Sequence, residues 1–169
     1  MHAGAMISKL GNLLDSSRLN QVFIDGKWCD AEASGHVPVV NPASEEVVAE
    51  LTLGSAADVD RAVAAARRAF PGWAATPLSD RIHLLGKVHS LLLERVDVFA
   101  SVLALEMGAP ISYGRSAQVP LAAEHLRGAM ENASSYPFVS RRGDISVLRE
   151  PIGVCGLITP WNWPLYQIA

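Results

Sequence analysis

Cysteine is nearly missing from this chain: only Cys29 and Cys155 occur among 169 residues, too few to read as a disulfide framework. Free thiols in a cytosolic protein are the simpler reading. Charge is thin as well, with charged residues at 18% of the chain against about 25% in ordinary domains. A net charge of -3 and a pI near 5.9 leave no basic field for nucleic acid. No run of ~18 apolar residues is present to span a membrane, so neither nucleic acid nor membrane is an expected partner. The histidines, His2, His36, His83, His89 and His125, have no metal-ligand spacing, and no cysteine pair lies two apart, so no metal site is expected. No GxGxxG or GxxxxGK[ST] loop occurs, which excludes those phosphate cradles. Residues 1–20 hold Ile7, Leu10, Leu13 and Leu14 at helical spacing but no signal-peptide h-region, and read as a tail or short helix.

What the chain does have is apolar residues, at 50% of the total with mean hydropathy +0.21. That is enough for a core, and more than an isolated monomer hides comfortably. Asp25-Gly26, between Val22, Phe23, Ile24 and Trp28, supplies the positive-φ pair of a hairpin turn. Two further extended runs, 36–40 and 46–53, flank Asn41-Pro42 and read as small antiparallel strands. Ser55 and Asp58 have capping-box spacing ahead of a helix whose inner stripe is Val59, Ala62, Val63, Ala66 and Phe70, ended by Pro71-Gly72. Thr76-Pro77 starts the next helix, with Pro77 in its first position and Ile82, Leu85, Val88, Leu92 and Val96 facing inward. Asp97 caps a segment over 98–107 that Gly108 and Pro110 stop. A helix over 118–134 turns Val119, Ala122, Ala123, Leu126 and Met130 inward, while the path from Ile111 to Ala117 is not readable. Arg141-Arg142-Gly143 reads as a break before an alternating strand over 144–150.

The closing stretch carries the candidate chemistry. Val154, Cys155, Leu157 and Ile158, punctuated by Gly153 and Gly156, predict a short strand buried on both faces, with Cys155 a structural thiol rather than a nucleophile. Cys29, beside Lys27, reads as surface packing. After the strand come Thr159, Pro160, Trp161, Asn162, Trp163 and Pro164, an amide between two indoles bracketed by prolines. A primary amide donates two hydrogen bonds without titrating, so Asn162 can stabilise a developing oxyanion at a contribution of roughly 3–4 kcal/mol. It can equally cap a helix starting near Pro164. Spacing alone leaves both open.

Four segments in order, VNPASEEVVAE (40–50), GSAADVDRAVAAARRAFPGWA (54–74), LEMGAP (105–110) and EPIGVCGLITPWNWP (150–164), resemble the amino-terminal portion of the NAD(P)-dependent aldehyde dehydrogenases. The resemblance runs from about residue 23 to the end. It implies an α/β fold, the amino-terminal part of a Rossmann-like cofactor domain with small β-hairpins, several helices and the first core strand, plus a β oligomerisation-arm strand. The implied division is a tail over 1–20, cofactor domain over 21–140, arm over 141–152, and first core strand with PWN turn over 153–169. It implies that Ile158, Thr159, Pro160 and Trp161 line an NAD or NADP site and that Asn162 belongs to the oxyanion hole. An aldehyde is the implied substrate, in a homo-oligomer, dimer or tetramer, joined through the arm. The family's nucleophilic cysteine and activating glutamate lie downstream of the PWN element, so the chain alone is expected to be inactive. Alternatives are a non-catalytic oligomerisation partner and a CoA-acylating semialdehyde dehydrogenase. Cys155 where valine is common and Trp163 where phenylalanine is common are the departures within the matched segments.

Overall fold

The computed structural model describes residues 16–32 and 35–169. The expected helical spacing of Ile7, Leu10, Leu13 and Leu14 lies outside the described residues. A 3₁₀ turn, Ser16–Asn20, leads into β1 (Gln21–Ile24) and β2 (Lys27–Asp30). Asp25 (φ 54°) and Gly26 (φ 74°) are both left-handed, as the two-residue turn requires. The register sets Phe23 opposite Trp28, with ring centroids 5.2 Å apart. The second expected hairpin is β3 (Gly35–Val40) with β4 (Val47–Leu53). Buried Asn41 closes its turn from both ends: its Oδ1 accepts the Ala43 N–H at 2.9 Å, and its own N–H donates to the Glu46 carbonyl at 2.9 Å.

Helix α1 (Ala56–Ala74) starts on the capping box, where Ser55 Oγ accepts the Asp58 N–H at 3.3 Å and Asp58 Oδ2 accepts the Ser55 N–H at 2.8 Å. Pro71 does not end it. The helix passes through Pro71 and Gly72 to Ala74, because a proline this close to the C-terminus removes one bond while the last carbonyls find other donors. Ala75 N–H reaches the Pro71 carbonyl at 3.2 Å, and Thr76 Oγ1 donates to the Gly72 carbonyl at 3.0 Å. The expected inner stripe is also corrected. Val59 and Val63 are exposed and Phe70 is half-buried, while the buried residues of α1 are Asp58 and Ala65, so most of the apolar stripe is left open.

Pro77 stands one position before α2 (Leu78–Glu94) rather than at its first residue, and Asp97 lies in the first turn of α3 (Val96–Met107) rather than at its cap. Gly108 (φ 74°) closes α3 in the left-handed conformation, as expected. A one-turn helix α4 (Ile111–Tyr113) and a π turn (Gly114–Gln118) then run into α5 (Val119–Ser135). That wide turn inserts a residue into the helical period, which is why the approach was illegible in the apolar pattern. Leu92, Leu103, Val119, Ala122, Ala123 and Leu126 form the core, with Leu85, Val96, Phe99 and Leu165 packed against it. Alanines on α5 let α2 approach closely. Beside this core an apolar cleft of about 520 Å³ opens between Leu85, Val88, Leu91, Phe99, Leu126 and Ile168; Val88, expected inside, is exposed.

The segment expected as an arm strand is a hairpin rather than a single strand: β5 (Val139–Arg142) pairs with β6 (Ile145–Leu148). Arg141 and Arg142, read as a break, lie in β5, and the chain reverses at Gly143 (φ 61°). Arg149 ties its base, donating its N–H to the Phe138 carbonyl at 2.9 Å and Nη1 to the Pro137 carbonyl at 3.0 Å. The three sheets among the described residues are all two-stranded. The buried strand expected over 153–158 is therefore not formed; that stretch runs unpaired, and Cys155 is exposed instead of buried. A strand covered on both faces needs neighbouring strands and flanking helices, and no described element provides them there.

Candidate active site

The PWN element ends the unpaired stretch in a bend ahead of α6 (Pro164–Ile168). Ile158 is 98% and Trp161 83% exposed, with Thr159 and Pro160 also open. These four residues, expected to line the dinucleotide, make an exposed strip with an isoleucine at one end and an indole at the other. Asn162 is exposed beyond it. The helix-cap role for Asn162 is not realised: Trp163 occupies the N-cap position of α6, and no side chain caps that helix. Its amide is thus left to face outward.

Trp163 holds the turn in an unusual state. Its backbone is left-handed, φ 56° and ψ 46°, a conformation that costs a non-glycine residue about 1–3 kcal/mol. The following proline makes this sharper, since a residue before proline favours extended backbone. Surrounding contacts hold it there. The Trp163 and Tyr113 rings meet edge to face with centroids 5.7 Å apart and planes at 76°. One turn on, Tyr166 meets His125 of α5 at 4.4 Å and 67°, and Leu165 packs on the core. The short helix is closed by Gln167 N–H to the Trp163 carbonyl at 3.1 Å.

The strip also borders an open cleft of about 520 Å³, walled by Val40 and Pro42 of the second hairpin, by Glu106 and Met107 at the end of α3, and by Trp161 and Pro164. Burial raises the Glu106 carboxyl above its ordinary range even though the side chain keeps access to solvent. No group of three His, Cys, Asp or Glu that could hold a metal occurs among the described residues. Chemically, the turn offers a neutral two-proton donor beside an apolar strip. The sequence singles out Asn162 by its chemistry, and the family resemblance adds residues 158–161; neither points to Tyr113, His125 and Leu165, whose contacts reach the turn and α6. Their partners are distant in the chain, so no periodicity announces the contacts.

The scaffold is mixed helix and strand with small hairpins, consistent with the amino-terminal part of an NAD-binding domain. The sequence profile of the aldehyde dehydrogenase family matches residues 28–169, and the chain belongs to that family. It is 42% identical over 150 residues to a 3-succinoylsemialdehyde-pyridine dehydrogenase of a Pseudomonas species, covering 88% of this chain and 31% of that one. Among solved structures it is similar to aldehyde dehydrogenase C of Pseudomonas syringae, crystallised with NAD+ and octanal, at 52% identity and TM-score 0.89, over 91% of this chain and 32% of that one. It is also similar to a Mycobacterium tuberculosis aldehyde dehydrogenase complexed with NAD+, at 34% identity and TM-score 0.81, over 88% and 32% of the two chains. The chain thus spans about a third of the length of these relatives, their amino-terminal portion.

Proposed function

We propose that this chain forms the cofactor-side, amino-terminal part of a cytoplasmic enzyme that oxidises an aldehyde to a carboxylic acid with NAD+ or NADP+. The observation that carries the reading is the outward primary amide of Asn162 on a turn fixed in a left-handed backbone by Trp163. When a thiolate adds to an aldehyde, negative charge develops on the carbonyl oxygen, and a fixed neutral donor lowers that barrier at any working pH. Ile158, Thr159, Pro160 and Trp161 fit one wall of a dinucleotide site, because their strip is exposed, unpaired and apolar at both ends. The dinucleotide, when bound, supplies the hydride acceptor, and the NAD+ complexes of two similar structures favour NAD+. The thiolate and the water-activating carboxylate come from the remaining two thirds of the family's length. Neither Cys29 nor Cys155 is assigned the nucleophile's role: Cys29 Sγ donates to the Lys27 carbonyl at 3.7 Å in the first hairpin, and Cys155 is exposed on the unpaired stretch before the turn. In the same reading the β5–β6 hairpin pairs across subunits of a homo-oligomer, and the apolar cleft at Ile168 receives the rest of the cofactor domain.

The test is a chimera joining these 169 residues to the remaining two thirds of the Pseudomonas syringae enzyme. It should reduce NAD+ with an aliphatic aldehyde, while the 169-residue chain alone should not. Asn162→Ala in the chimera should lower kcat by about 10²–10³ with little change in KM. An unchanged kcat would overturn the assignment of Asn162.

A further inference from the structure

We propose that Tyr113 is a positioning residue for Asn162, acting through Trp163; this rests on the reading of Asn162 as an oxyanion donor. Three observations carry it. First, Trp163 sits between Asn162 and Pro164 with φ 56° and ψ 46°, a backbone state that its bulky side chain and its proline neighbour both disfavour. Such a state persists only where the surroundings over-determine it. Second, the Tyr113 ring packs edge to face on the Trp163 indole at 5.7 Å. Third, Tyr113 itself stands on a rigid base. It is followed by Gly114, where an added Cβ would lie 3.1 Å from the Cα and Cβ of Ala100 in α3, so the backbone there is pressed against the core helix. The π turn that Gly114 begins ends at Gln118 and Val119, both buried.

The consequence is directional. The Asn162 side chain has no hydrogen-bond partner among the described residues, so nothing it touches itself fixes the direction of its amide. Its backbone direction is inherited from the next residue. If Trp163 relaxes to the extended state that precedes most prolines, the peptide joining 162 to 163 rotates and the amide swings away from its aim. Tyr113 blocks that relaxation by holding the indole, and thereby fixes the direction in which the Asn162 side chain leaves the turn. Tyr166 against His125 and Leu165 in the core anchor α6, the element that follows the turn, while Tyr113 is the partner of the Trp163 ring itself.

The experiment uses isotope-labelled chain of the full 169 residues, with variants Tyr113→Phe, Tyr113→Leu and Trp163→Gly. Backbone couplings report φ at residue 163, and relaxation of the Asn162 side-chain amide reports its order. Tyr113→Phe keeps the ring and should leave both unchanged. Tyr113→Leu should release residue 163 to negative φ and make the Asn162 amide mobile. Trp163→Gly should leave the fold intact, since glycine adopts the left-handed state freely, yet still mobilise the amide because the indole anchor is gone. In the chimera, Tyr113→Leu should lower kcat by between about tenfold and a hundredfold with KM little moved, and Tyr113→Phe should restore it. Positive φ at 163 with an ordered Asn162 amide in either Tyr113→Leu or Trp163→Gly would overturn the proposal. A mobile amide in Tyr113→Leu together with an unchanged kcat in Asn162→Ala would instead keep Tyr113 as the brace and remove the oxyanion role.

Discussion

Asp58 accepts the backbone N–H of Glu32 across 26 residues of chain, at 3.0 Å on the same Oδ2 that accepts the Ser55 N–H at 2.8 Å. Arg61 completes the clasp, donating to Glu32 at 2.7 Å and to Asp58 Oδ1. One carboxylate therefore caps α1 and ties the exit of the first hairpin to it. A capping box predicts the Ser55 bond from spacing alone; the Glu32 bond joins elements that only the tertiary fold brings together.

That clasp makes stability depend on acid. The Ser55 N–H, the Glu32 N–H, the Ser55 hydroxyl and Arg61 hold the Asp58 carboxyl below its usual range, the Ser55 N–H most strongly and burial opposing. A carboxyl depressed in the folded state stabilises fully above its unfolded value, near 3.8, and loses that contribution as pH falls through the lower folded value. Asp58→Asn should therefore melt earlier than the parent chain at pH ~6, and the gap in melting temperature should close as pH drops below ~4. Thermal melts by circular dichroism across that range decide it, and a gap that stays constant would refute the clasp. Residual acid dependence in the variant is expected from Glu124, whose carboxyl is lowered by its hydrogen bond with Arg127.

Much of this fold was legible because its signals are local. Asp25-Gly26, Asn41-Pro42, Ser55 with Asp58, and Gly108 each fix a turn or helix end through their own backbone needs, and each stands where the sequence put it. Failures came where a residue's fate depends on distant partners. The run Val154 to Ile158 has the composition of a buried strand, but burial is supplied by other strands, and among the described residues it stays open. Pro71 looked like a stop because proline's cost was counted without the Ala75 and Thr76 donors that close the last turn. Arg141 and Arg142 looked like a break because their pairing to Ile145 and Ser146 is set by Gly143 behind them. At the site, Asn162 was visible by its chemistry, whereas the ring contacts of Tyr113 and His125 leave no trace in spacing.

Gly108 should tolerate no side chain. Its φ of 74° is left-handed, and a Cβ there would lie 2.7 Å from Cγ of Pro42 in the second hairpin. The same glycine therefore ends α3 and lets the Asn41-Pro42 turn seat against it. Gly108→Ala combines backbone strain of about 1–3 kcal/mol with displacement of that turn, so a loss of about 2 kcal/mol or more in urea unfolding is expected. A loss below ~0.5 kcal/mol, within the range of an ordinary surface substitution, would mean that the turn yields freely and that the contact does not hold the hairpin to the helix.

The β5–β6 hairpin presents a cross-strand apolar pair, Val139 with Leu148, both more than 60% exposed. Arg149 and Tyr136 secure the hairpin's base from within the chain, the guanidinium lying 5.4 Å from the ring centre. The apolar pair is thus left for something outside the described residues. If the hairpin joins subunits, replacing both residues with serine should leave the far-ultraviolet circular dichroism and melting temperature of the 169-residue chain nearly unchanged, because neither side chain contributes to its core. In the chimera the same double substitution should shift the assembled enzyme toward smaller species in light scattering at micromolar concentration. Apolar side chains buried between subunits contribute roughly 1.5–3 kcal/mol each. Two subunits each lose two such residues, so the shift should be large and should reverse as concentration rises. An unaltered mass distribution would assign the assembly of this enzyme to another surface and leave the hairpin's exposed face without that role.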